Sequence, residues 1–207
     1  MNGYDCTKHP NNTCCTRYSE LLRSTLGGVD QIVYERQRPE SRPETEAMGF
    51  GTLRHQMFAE YAEQTGKPYK SFNLDIPISH VEKEFTTELM KNMFVHSRPD
   101  LVSAETNMIL DYKTIIDGKH GWKKIADEYR GQTKKRQLIF YAYQLGLHGI
   151  RINKAIFLCE IWSVSHDAIV GYHTVEFPIT LADMAGVLGW ARPRMALLKA
   201  VLQEVSV

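Results

Sequence analysis

The chain predicts a mixed α/β fold, a central sheet flanked by helices, and three observations carry that prediction. Apolar residues Phe50, Leu53, Met57, Phe58 and Tyr61 recur at helical spacing from Met48 to about Gln64, where Gly66 stops the run. Phe72–Ile78 alternates apolar and polar residues, and Val95–Val102 and Asn107–Thr114 read as two strands joined in a hairpin by the polar Ala104-Glu105-Thr106. Helical sequence over Lys119–His148 then separates these from strands over Ala155–Trp162 and Ile169–Phe177. Helix, strands, helix, strands is the order of a mixed sheet with helices packed on it.

The remaining segments fit around that frame. Residues 1–16 are polar and turn-rich, and Thr16–Leu26 predicts a short helix ending at Gly27-Gly28. Residues 35–46, rich in Glu, Arg, Gln and Pro without apolar periodicity, predict a loop or linker. Val81–Asn92 is charged and fits either a helix or a strand edge, and the Lys119–His148 helix is expected to break near Gly131. After Pro178, Thr180 and Asp183 form a helix-starting pair, followed by Leu181, Met184, Val187, Leu188, Leu198, Val201 and Leu202 with an interruption at Arg192-Pro193.

Size and composition narrow the function. The 207 residues suit one domain with a small appendage, and 43% hydrophobic with 24% charged residues belongs to an ordinary globular protein. No apolar run approaches the roughly 20 residues a membrane span needs. The start, Met1 to Cys6, lacks a basic region followed by an apolar one, so an intracellular location is expected. No G-x-x-x-x-G-K-[S/T] segment occurs, so ATP-driven work would need a partner protein. The net charge of +1 decides nothing about nucleic acid, but its distribution is uneven: Lys113, Lys119, Lys123, Lys124, Arg130, Lys134, Lys135 and Arg136 crowd one stretch. Such a cluster can track a phosphate backbone, or, with Asp117, Asp127 and Glu128 interspersed, form a solvated face. Cys6, Cys14 and Cys15 have irregular spacing for zinc and read as a thiol-bearing extension, while Cys159 reads as core.

The chemistry centres on Asp111-Tyr112-Lys113-Thr114, behind the apolar Met108-Ile109-Leu110. On a strand, Asp111 and Lys113 share one face. Asp100, in Ser97-Arg98-Pro99-Asp100, supplies a second carboxylate. Two acids for a hard cation and a lysine beside them suit metal-assisted phosphodiester hydrolysis. His55, in Gly51-Thr52-Leu53-Arg54-His55, is placed off the apolar stripe of its helix, as either a surface histidine or a metal ligand. Gln137 and Tyr141, four apart, share a helix face that Lys134 and Gln144 extend, opposite Leu138, Ile139, Ala142 and Leu145.

In this order, Gly51-x-x-x-His55, Asp100, Asp111-Tyr112-Lys113 and Gln137-x-x-x-Tyr141 resemble the RecB-like branch of the PD-(D/E)XK nuclease superfamily, over about residues 48–145. The resemblance implies a restriction-endonuclease-like α/β core over 48–207, after a partly flexible N-terminal extension over 1–47. It implies Mg²⁺ or Mn²⁺ held by His55, Asp100, Asp111 and the Tyr112 backbone carbonyl, with Asp100, Asp111 and Lys113 catalytic. Gln137, Tyr141, Lys134, Lys123 and Lys124 would support the site or bind DNA, single- or double-stranded. Glu60, one turn beyond His55, is a poorly angled outer acid. Iron–sulfur relatives place several cysteines after the Gln-x-x-x-Tyr element, where this chain has Cys159 alone, which argues against such a cluster. The implied activity is a metal-dependent deoxyribonuclease, an exonuclease with single-strand activity, in recombination, repair or replication. A recombination-accessory protein with little cutting activity, or an endonuclease of the same superfamily, is the alternative. Recombination or replication proteins, and further copies of the chain, are the implied protein partners.

Overall fold

The strand bearing Asp111 and Lys113 is the backbone of this fold, and its neighbours explain why. In this computed structural model, which describes residues 14–24, 28–37, 45–117 and 128–205, the first elements are β1 (Cys14–Arg17), α1 (Tyr18–Arg23), α2 (Val29–Gln37) and α3 (Glu46–Thr65). A 3₁₀ turn (Lys70–Phe72) leads to β2 (His80–Val81), β3 (Phe85–Met90), β4 (Met93–Ser97), β5 (Leu101–Ser103) and β6 (Met108–Ile116). Then follow α4 (Gln132–Leu147), β7 (Lys154–Trp162), β8 (Ile169–Pro178) and α5 (Leu181–Val205). Two compact units interleave along the chain: one holds Thr45–Lys83 and Arg98–Met184, the other β1, α1, α2, Glu84–Ser97 and the chain from Ala185.

The first unit is built on a five-stranded mixed sheet in the order β2-β5-β6-β7-β8. β6 and β7 run parallel from Met108↔Lys154 to Ile116↔Trp162, while the other pairs are antiparallel. Parallel neighbours need a crossover, and α4 lies in it. One sheet face carries Leu110, Tyr112, Ile156 and Leu158 in an apolar cluster with Phe58, Ala62, Phe72, Ile76 and Leu101. Phe58 stacks on Tyr112 with ring centroids 4.3 Å apart, a contact worth about 0.5–1.5 kcal/mol beyond burial.

Helix α3 forms where expected but turns a different face inward. Thr45 caps it by accepting from the Met48 amide, and Gly66 ends it in the left-handed region at φ 67°. Phe58 and Ala62 are buried, whereas Leu53 (54%) and Met57 (44%) are exposed. The inward face therefore runs through His55, Phe58 and Ala62, three and seven apart. Two exposed apolar side chains misdirect the periodicity.

Two predicted strands are corrected. Phe72–Ile78 forms no strand: Phe72 and Ile76 are buried, but Asn73 takes a left-handed φ of 53° and its amide closes back on the Lys70 carbonyl. Val95–Val102 is two strands, β4 and β5, in different sheets, because Pro99 lacks an amide and breaks the ladder. The predicted hairpin survives as β5–β6, paired Leu101↔Leu110 to Ser103↔Met108. Charged Val81–Asn92 holds the end of β2 and the whole of β3.

The second unit has a three-stranded sheet, β1-β4-β3, with β1 parallel to β4 and β3 antiparallel to it. Thr16 and the Arg17 amide both donate to the Glu20 carboxylate, so a segment expected to be helix from Thr16 begins as strand and enters α1 only at Tyr18. α2 occupies Val29–Gln37, part of which was expected to be loop. The Thr180–Asp183 pair starts α5 by reciprocal hydrogen bonds. That helix continues through Pro193, against the expected interruption, with Ala191, Met195 and Leu198 buried. Burial of that face outweighs the roughly 3 kcal/mol that a helical proline costs. Among the described residues no helix is long and apolar enough to cross a membrane.

Candidate active site

The site forms where β5 stops covering β6. The first β5 residue, Leu101, pairs with Leu110, so the Tyr112 amide lies beyond the last paired position on that edge. The Asp100 carboxylate takes it, accepting from Tyr112 N at 2.7 Å. His55, from the inward face of α3, brings Nδ1 to 3.6 Å from Asp100 Oδ2 and sets its ring edge-on to Tyr112. On the other face of β6, Asp111 is 2% exposed and Lys113 Nζ lies 2.6 Å from its Oδ2. That oxygen, though ion-paired, has no well-directed hydrogen bond.

The charges are mutually set. Burial raises Asp100 to about 7, aided by the nearby Asp111 carboxylate. Burial and the Lys113 ammonium lower His55 to about 4, so its imidazole is neutral at physiological pH with a lone pair to offer. Burial alone would lower Lys113; the Asp111 and Asp100 carboxylates outweigh it and hold the group above the ordinary lysine range.

From α4, Gln137 Nε2 donates to Tyr141 Oη at 3.1 Å. Tyr141 is pushed up to about 12, mainly by burial, with Asp111 and Asp100 adding to the effect. Lys134 is exposed and lies over the Tyr129 ring at 5.3 Å. Gln144 does not extend the polar face: it is fully buried. Glu60 is exposed and accepts from Gln56. Lys119, Lys123, Lys124 and Cys6 lie outside the described residues. Gly51, which opens the G-x-x-x-H pattern, has nothing within 4 Å of where a Cβ would stand. Cys159 is buried in β7, its thiol pushed up to about 12 by burial.

Two acids stand here that the sequence reading missed. Glu82, just past β2, donates its amide to the Asp100 carbonyl at 2.8 Å. Its carboxylate, His55 and Asp100 each offer a ligand atom within 4.8 Å of the others. One imidazole nitrogen and two carboxylate oxygens at that spacing, beside buried Asp111, fit a divalent cation. Glu160 is fully buried on the Tyr112 face of the sheet. Its Oε1 accepts from Tyr112 Oη at 2.6 Å, Trp162 Nε1 at 2.7 Å and Arg54 Nε at 2.9 Å, and Arg54 Nη2 reaches Oε2 at 3.0 Å. A lone carboxylate in the otherwise apolar Ala155–Trp162 run was its only signal, and Glu82 had none among the charges around it.

No family model and no curated protein matches the chain. Its structure is nevertheless similar to solved ones. SSO0001 superposes with a TM-score of 0.58 at 17% identity, covering 92% of this chain and 80% of that one. A phage-related exonuclease from Haemophilus somnus 129PT gives 0.56 at 9% identity, over 86% and 82%. The alkaline exonuclease LHK-Exo from Laribacter hongkongensis gives 0.53 at 13% identity, over 94% and 92%. The chain shares its fold with these structures, two of which are exonucleases. Here the edge position of Asp100 brings it to His55 and Glu82, while Asp111, on the neighbouring strand β6, stands beside that group and outside it.

Proposed function

We propose that the protein is a metal-dependent deoxyribonuclease that hydrolyses phosphodiester bonds as an exonuclease and also cuts single strands. The observation that carries this reading is that His55 and Asp100 meet at the edge of β6, next to the Asp111–Lys113 pair that the same strand presents on its other face. One exonuclease of this fold, LHK-Exo, has been solved in complex with dAMP, which favours DNA as the substrate. The nuclease domain is assigned to 48–207, with 1–47 as an extension, acting inside the cell in recombination, repair or replication.

His55, Asp100 and Asp111, with the Tyr112 carbonyl, would hold Mg²⁺ or Mn²⁺. Such an ion would supply Lewis acidity, polarising a phosphoryl oxygen and lowering the pKa of water bound to it. The chain's own groups do the rest. Lys113, held protonated, donates to water or phosphate oxygen and stabilises charge there, rather than accepting a proton. Gln137 orients Tyr141, whose phenol stays protonated and donates. Lys134, together with Lys123 and Lys124, supplies positive charge for the backbone.

The test is a gel assay on linear, closed circular, single- and double-stranded DNA, with Mg²⁺, Mn²⁺ or chelator. Metal-dependent loss of linear and single-stranded substrate is expected. Binding without any metal-dependent loss would overturn the reading in favour of an accessory protein, and cutting of closed circles would make the enzyme an endonuclease.

A further inference from the structure

We propose that Glu82 is a ligand of the divalent cation, completing a His55–Glu82–Asp100 position at the edge of the sheet. The proposal rests on the nuclease reading above and adds to it a residue from outside the four sequence motifs.

The backbone puts Glu82 there. β2 pairs antiparallel with β5, Val81 opposite Leu101, so the next residue of β2 falls beside the residue preceding β5, which is Asp100. The Glu82 amide then bonds to the Asp100 carbonyl at 2.8 Å, fixing the two main chains together. With the chains so fixed, the two carboxylates and the His55 ring offer ligand atoms within 4.8 Å of one another. Like charges at that separation repel, and a cation between them turns the repulsion into coordination.

Charge balance favours the same assignment. Asp100, Asp111 and Glu82 against the Lys113 ammonium leave two negative charges when all are ionised, the complement of one divalent ion. Without Glu82 only one remains. Arg98 Nη2, 3.7 Å from Glu82 Oε2 and on a side chain that is 63% exposed, is the counter-charge a cation would displace. An imidazole in the donor set also makes Mn²⁺ the appropriate probe, since Mg²⁺ takes oxygen ligands almost exclusively.

The experiment is Mn²⁺ binding to the full chain, followed by electron paramagnetic resonance of free ion and by calorimetry, without DNA. Glu82→Gln should weaken binding by about tenfold or more, with the thermal midpoint of the metal-free protein kept near wild type. Arg98→Ala should leave binding intact or tighten it, because it frees Glu82. Wild-type affinity in Glu82→Gln would overturn the proposal, and so would equal weakening in both variants, which would make Glu82 only the partner of Arg98. If Glu82→Gln fails to fold, Glu82→Asp decides: it keeps the charge but shortens the reach, and unchanged Mn²⁺ affinity there would count against ligation. The nuclease reading fails separately, if wild-type protein cleaves no DNA with any divalent ion while its Mn²⁺ binding still depends on Glu82.

Discussion

Asp111 and Lys113 show how two residues on one strand face acquire different tasks from the same burial. They form a 2.6 Å ion pair, and on the proposed reading the carboxylate would serve a cation and the ammonium the substrate. In Lys113→Ala, hydrolysis should fall by about 10²-fold or more, the scale for losing one charge-stabilising donor, while DNA affinity in a filter-binding assay changes little. Unchanged turnover would remove Lys113 from the mechanism. Asp100 sets the pH dependence. In the metal-free chain its carboxyl is raised to about 7, so below that pH a bound cation must displace a proton. His55, lowered to about 4, has none to lose over the same range. Metal affinity should therefore climb by up to about tenfold per pH unit below about 7 and level off above it. The two groups also act on stability with opposite signs. A raised acid favours the metal-free fold at low pH and loses that contribution as pH rises through about 7, whereas the depressed His55 contributes above its unfolded value and loses it as pH falls toward about 4. Calorimetry in buffers of different protonation enthalpy would count the released proton; affinity flat between pH 5 and 8 would contradict this assignment.

At the scale of elements, α3 and β7 are joined by one buried ion pair, Arg54 with Glu160, to which Tyr112 and Trp162 also donate. Arg54's side chain is 13% exposed and Glu160's is not exposed at all. Glu160→Ala would strand the guanidinium and two further donors, so the loss should be about 3–5 kcal/mol, read by denaturant unfolding. A loss below about 1 kcal/mol would show that water replaces the carboxylate. Because Tyr112 lies between Asp111 and Lys113, this network also fixes the strand that presents them. The sequence made β6, β7 and β8 legible because their apolar residues are continuous or alternate, as buried strands require. It misled on α3, where Leu53 and Met57 are apolar yet exposed, and at Pro193, where tertiary burial overrides propensity. That Asp111 and Lys113 share a strand face was legible from their spacing along the chain. Glu82 was not, since only the β2–β5 register brings it to Asp100, and register is a long-range property that local pattern does not encode.

For the whole molecule, the decisive fact is how the chain is apportioned. It enters the unit that carries the candidate site at Thr45, leaves it at Glu84 and returns at Arg98, so one unit holds His55, Glu82, Asp100, Asp111, Lys113, Gln137 and Tyr141. Hydropathy along the sequence could not show this, because Val95–Val102 reads as one strand although its two halves, β4 and β5, pair in different sheets. The apportioning has a thermodynamic consequence. A ligand stabilises the cooperative unit that binds it, by an amount that grows with its concentration over Kd. Units that open separately in hydrogen exchange then respond separately. Saturating Mn²⁺ should therefore slow exchange at amides in the site's unit, first at Tyr112, which bonds the Asp100 carboxylate, and at Glu82, which bonds the Asp100 carbonyl. Amides of β3 and β4 should change little. Hydrogen–deuterium exchange with mass spectrometry, with and without Mn²⁺, resolves these peptides. Equal slowing in both sets would mean that the two units open as one, and slowing confined to β3 and β4 would place the cation outside the cluster of His55, Glu82 and Asp100.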